Sequence, residues 1–113
     1  MIYLDNAATS FPKPEVVYQA LDRFARTSLA NPGRSAYAMS TVAEAVMDDC
    51  RHALNRLFNG EAPRRWVFTL NCTDALNIAI KGVLRPGDHV VTSDLEHNSI
   101  SRPLVQLQQD GVI

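Results

Sequence analysis

The chain has 113 residues, enough for one domain with a modest core. Its 11 basic and 12 acidic residues leave a net charge of −1, so nothing electrostatic argues for nucleic acid, and no apolar run approaches the ~20 residues that span a bilayer. Two cysteines, Cys50 and Cys72, make no disulfide framework, the amino end has no basic-then-apolar leader, and a reduced cytoplasmic setting is expected.

In chain order, Met1-Ile2-Tyr3-Leu4 is a short strand candidate closed by Asp5-Asn6, followed by the small residues Ala7 and Ala8. Pro14 then Glu15 start a helix, with Val17, Ala20, Leu21, Phe24 and Ala25 on one core-facing stripe and an end near Thr27–Leu29. Ala30-Asn31-Pro32-Gly33-Arg34-Ser35 is a turn-rich loop whose arginine is either solvated or an anion contact. A long helix follows, from the capping-box spacing at Thr41–Glu44 or a turn earlier, to the stop at Asn59-Gly60. Its apolar stripe includes Cys50, expected as a small buried hydrophobe, while His52 falls off the stripe and should be solvated.

After the polar connector Glu61–Arg65, Val67 to Leu70 suit a short buried strand, and Asn71-Cys72-Thr73 is a polar break. Asp74 opens a helix to about Leu84 with Leu76, Ala79, Ile80 and Val83 on one face. Such a turn gathers free backbone N–H groups at the positive end of a helix, where an anion sits well, and Thr73 adds a hydroxyl. Thr73 or Asn71 could equally act as a plain cap, and both readings stay open here. Arg85-Pro86-Gly87-Asp88 is a turn, His89–Ser93 the next strand, and Ile100–Gln109 a helix with Pro103 in its first turn and Gly111 as its C′ residue. Val112-Ile113 reads as the start of another strand, so a portion of a longer chain is expected.

Strand–helix–strand–helix with short loops implies an α/β fold with a parallel sheet, whose ligands collect beyond the carboxyl ends of the strands. The Asn71–Thr73 turn and the Glu96–Ser99 loop should therefore share one crevice. His97 in that loop could stack on a flat ring or move a proton, against the plainer role of a histidine bonded to a backbone carbonyl. A planar, phosphorylated cofactor would satisfy the turn and the imidazole together. Cys72 is a potential nucleophile at a helix start, but the tight turn favours a small filling residue. The histidines and cysteines lack metal-ligand spacing, so the metal expectation is none. A nucleotide site is disfavoured because the turn lacks a glycine-rich signature.

Five segments together carry a family resemblance: Tyr3–Thr9, Asn31–Ser35, Phe68–Asn77, Arg85–Val91 and Glu96–Ser99. In this order and spacing the chain resembles the amino-terminal part of class V aminotransferases, the fold-type I pyridoxal-phosphate enzymes that include cysteine desulfurases and selenocysteine lyases. The resemblance implies an α/β fold, the amino-terminal part of a fold-type I transferase, with parallel strand-helix-strand-helix layers preceded by amino-terminal helices. Residues 1–38 would be the amino-terminal arm, helix and loop of the substrate-entrance region, and residues 39–113 the start of the large cofactor-binding domain.

The same resemblance implies pyridoxal 5′-phosphate as cofactor, with Thr73 and the backbone of Cys72 on its phosphate and His97 on its ring as a catalytic group. Asn6, Ala7 and Ala8 would lie near the substrate, with cysteine the leading one. A homodimer and a sulfur-acceptor protein would be the partners, with no nucleic acid or membrane involved. Cys72, Asp74 and Tyr37 depart from the residues usual in the family. The Schiff-base lysine, the pyridine-pairing aspartate, the substrate arginine and the mobile-loop cysteine lie later in family chains. Neither Lys13 nor Lys81 suits the first of these roles, so this chain alone is expected to be inactive. The alternative is a short non-catalytic binding or dimerisation module of the same fold.

Overall fold

A computed structural model of the chain describes residues 2–33 and 37–113. Among the described residues there are four α-helices, α1 (Glu15–Thr27), α2 (Ala38–Leu57), α3 (Cys72–Val83) and α4 (Asn98–Gln109), and a 3-10 turn at Pro63–Arg65 inside the expected polar connector. The chain divides into two compact units, Met1–Trp66 and Val67–Ile113. Arg34 and Ser35, at the end of the proline-glycine loop, and Met1 of the first strand candidate lie outside the described residues.

In the first unit, α1 begins after Pro14, whose fixed φ of −53° prepares the helix while its missing N–H costs nothing there. No residue of α1 is buried, and Val17 and Leu21 are exposed, so the expected packing on a core is not made among the described residues. A helical stripe records which side can be covered; it does not supply the cover. Helix α2 starts at Ala38, one turn before Thr41. Only Ser40 and Ala43 are buried in it, and the Ser40 hydroxyl donates to the Asn31 carbonyl at 2.9 Å. Cys50, expected to be buried, is exposed, and His52 is exposed as expected.

The end of α2 is tied by local chemistry. Asn59 takes the left-handed conformation with φ 51°, and the Gly60 N–H reaches back to the Asn55 carbonyl at 2.9 Å, a Schellman closure. The Asn55 Oδ1 accepts from the Trp66 indole at 3.1 Å, and the Phe58 and Trp66 rings lie 5.5 Å apart. A Cβ on Gly60 would stand 2.6 Å from that same Oδ1.

In the second unit, α3 and α4 pack on each other. Leu104 is the buried aliphatic residue, joined in α4 by Pro103 and Ser99. Pro103 is in the second turn of α4, where it removes the bond that an N–H would give to the Ser99 carbonyl; the expected first-turn position is corrected because the helix starts at Asn98. The turn at Arg85–Asp88 closes with an Asp88 N–H to Arg85 carbonyl bond of 3.0 Å, and Gly87 at φ 91° supplies its left-handed corner. Gly111 at φ 69° ends α4 as expected, with the Val112 N–H on the Leu107 carbonyl at 2.8 Å.

The expected strands are the main difference. Ile2–Leu4, Val67–Leu70, His89–Ser93 and Val112–Ile113 form no strand among the described residues, and the parallel layers are therefore not seen. Helices close their bonds within four residues, whereas a strand exists only against a neighbour, and these segments have no ladder partner among the described residues. Val67, Leu70 and Val91 are 80%, 92% and 87% exposed. They are apolar residues of the strand pattern without the sheet that would cover them.

Candidate functional site

The start of α3 is built by Asn71. Its Oδ1 accepts the Asp74 N–H at 2.9 Å, so Asn71 is the N-cap and Thr73 is not. The Asp74 carboxylate in turn receives the Leu70 N–H at 3.4 Å, while Thr69 Oγ1 donates to the Asn71 carbonyl at 2.9 Å. The whole turn is thus locked by its own polar side chains. The Cys72 and Thr73 N–H groups and the Thr73 hydroxyl are engaged by no hydrogen bond among the described residues. The cap is made by Asn71, which leaves the Cys72 and Thr73 donors unused. Cys72 and Thr73 are both exposed at the helix start.

At the start of α4 the cap is His97 itself. Its Nδ1 accepts the Ser99 N–H at 3.2 Å and stands 2.8 Å from the Ser99 hydroxyl. The plainer alternative, a histidine-to-carbonyl bond, is not made; Ser99 is the partner instead. Because an amide N–H can only donate, Nδ1 is the unprotonated nitrogen, and the neutral ring carries its proton on Nε2. Ser101 Oγ reaches the carbonyls of Glu96 and His97, both at 3.3 Å, and holds the backbone on either side of the imidazole.

Lys81, in the last turn of α3, donates from Nζ to Gln106 Oε1 of α4 at 3.1 Å across a separation of 25 residues. An apolar groove of about 380 Å³ is lined by residues that include Leu76 and Ile80 of α3 and Ile100 and Leu104 of α4. Neither this groove nor the cavity of about 470 Å³ between Asp88–Asp94 and α4 includes Thr73 or His97 in its lining. The candidate site is an open surface at the helix ends.

Asn6, Ala7 and Ala8 belong to the first unit. Asn6 Oδ1 accepts the Phe11 N–H at 3.2 Å, Ala8 N–H meets the Asp5 carbonyl at 3.1 Å, and all three residues are exposed. The loop is further closed by the Tyr3 hydroxyl on the Thr9 carbonyl at 2.8 Å. Among the described residues, no group of three or more His, Cys, Asp or Glu side chains could hold a metal ion. The Ser99 hydroxyl on His97 was not among the sequence-predicted contacts; the His-Asn-Ser run at a helix start is the signal that carries it.

One helix start thus leaves amide and hydroxyl donors open, and the other carries an imidazole. Residues 2–113 match the family model described as aminotransferase class-V. The chain belongs to the class V aminotransferase family, whose fold is of type I. It is 34% identical over 103 residues to a "Probable cysteine desulfurase" of Synechocystis sp., covering 88% of this chain and 24% of the relative. It is 33% identical over 115 residues to a "Cysteine desulfurase IscS" of Shewanella loihica, covering 97% and 28%. With a "Probable cysteine desulfurase" of Methanothermobacter thermautotrophicus it shares 34% identity over 112 residues, covering 98% and 28%. The chain spans about a quarter of the length of these curated relatives. No helix among the described residues is long and apolar enough to cross a membrane.

Proposed function

We propose that the chain is the amino-terminal portion of a pyridoxal-phosphate enzyme of the cysteine desulfurase type, a C–S lyase and sulfurtransferase acting on cysteine. On this reading residues 1–38 belong to the substrate-entrance region, with Asn6, Ala7 and Ala8 near the substrate, and residues 39–113 open the cofactor-binding domain. The complete enzyme works in a reduced cytoplasm as a homodimer that hands sulfur to an acceptor protein. The observation that carries the reading is the family match over residues 2–113, supported by open donors at Cys72 and Thr73 at the start of α3 and an imidazole at the start of α4.

The residues fit the cofactor. The Thr73 hydroxyl and the N–H groups of Cys72 and Thr73 would hold its phosphate, aided by the positive end of α3. His97 would lie against its ring and hold or move a proton at Nε2. When bound, the cofactor supplies an electron sink for bond cleavage at an amino acid. Asn71 keeps the phosphate donors free by spending its own oxygen on the cap.

The missing element is a lysine at the site. Lys13 Nζ is held by Thr9 Oγ1 and the Ser10 carbonyl in the first unit. Lys81 lies at the far end of α3, about 12 Å along the axis from Thr73 at 1.5 Å per residue. On this reading the chain alone would bind the cofactor without turning over cysteine.

Titration of the full chain with pyridoxal phosphate, followed by ring absorbance and thermal shift, tests the reading. Saturable binding weakened roughly tenfold by Thr73→Val is expected, the worth of one charge-assisted hydrogen bond, with no shift from a nucleotide. Stabilisation by a nucleotide and none by pyridoxal phosphate would overturn it.

A further inference from the structure

We infer that Ser99 is a positioning residue for His97, fixing both the tautomer and the orientation of its ring. This inference rests on the cofactor reading above for its purpose, though not for its geometry. Ser99 is only 5% exposed, yet its hydroxyl is directed at an exposed imidazole, 2.8 Å from Nδ1. The helix does not require that bond, because the Ser99 N–H already completes the cap at 3.2 Å. With Nδ1 accepting from the N–H, the hydroxyl converges on the same single in-plane lone pair, a bifurcated contact at 3.2 and 2.8 Å. The shorter hydroxyl contact adds to the backbone one in holding that lone pair toward Ser99. Ser101, bonded to the Glu96 and His97 carbonyls, holds the backbone beneath the ring in the same way. Together they leave Nε2–H as the atom offered to a ligand, in a fixed direction before anything binds. That is the pre-organisation a stacking, proton-moving imidazole needs.

Nitrogen-15 NMR of the histidine-labelled full chain tests the geometry without any ligand. His97 should show Nδ1 unprotonated and hydrogen-bonded and Nε2 protonated, and Ser99→Ala should move the Nδ1 resonance toward that of a free acceptor while far-UV circular dichroism stays constant. A wild-type His97 protonated on Nδ1, or an Nδ1 resonance indifferent to Ser99→Ala, overturns the proposal whatever the ligand does. For the purpose, Ser99→Ala should raise the Kd for pyridoxal phosphate roughly threefold to tenfold, the range of one hydrogen bond, and leave that for inorganic phosphate unchanged. Equal losses for both ligands would make Ser99 a general support for α4 and overturn its role toward the ring. A wild type that binds neither ligand overturns the cofactor reading instead, a result the Nδ1 measurement distinguishes from failure of the positioning itself.

Discussion

The two units spend their polar groups in opposite ways. In the first, Asn6, Tyr3 and Lys13 turn inward on a single loop, and the Asn55–Trp66 pair closes the end of α2. Its helices begin at Pro14 and Tyr37 with no side-chain cap. In the second, both helices are capped by side chains, Asn71 and His97, and the caps leave neighbouring donors unspent. The first unit closes its polar groups on itself, whereas the capped helix start of α3 leaves N–H and hydroxyl groups open.

Substitutions can break this contrast. The largest effect is expected at Leu104, the buried aliphatic residue of the second unit. Leu104→Ala should cost about 2–4 kcal/mol in denaturant titration, because it removes buried aliphatic volume from the unit in which α3 and α4 pack together. A cost below about 1 kcal/mol would mean that this unit is held together elsewhere. Gly60→Ala comes next, at about 1–2 kcal/mol. Its new Cβ would displace Asn55 Oδ1 and orphan the Trp66 indole, which is read directly in the fluorescence of the chain's single tryptophan. Unchanged emission would contradict the closed polar knot assigned to the first unit. The smallest is Asn71→Ala, about 1 kcal/mol for a lost cap, with faster amide exchange at Asp74. If Asp74 exchange did not respond, the claim that capping and anion-binding donors are separate would fail.

The helices were legible in the sequence because their signals are local. Gly111 after Gln109 and Asn59-Gly60 after Leu57 end the helices where the motif requires, and the Pro86-Gly87 turn forms as its residues dictate. The strands were not, because Val67–Leu70 and His89–Ser93 carry a strand pattern whose realisation depends on a neighbour outside the segment itself. The burial of Cys50 and of the α1 stripe was overestimated for the same reason: periodicity gives a face, and burial needs a second surface. At the site, Thr73 and His97 were readable as a helix-start hydroxyl and a loop imidazole. The use of Asn71 as the cap could only be resolved by the hydrogen bonds made, and the Ser99 hydroxyl needed the third dimension entirely.

The central claim, that the starts of α3 and α4 serve one guest, is tested most directly by an NMR titration of the full chain with pyridoxal phosphate. The Cys72 and Thr73 amides and the His97 ring signals should move together along one binding curve with a single Kd. Movement of the amides while the imidazole stays still, or two curves with separate constants, would contradict a common site.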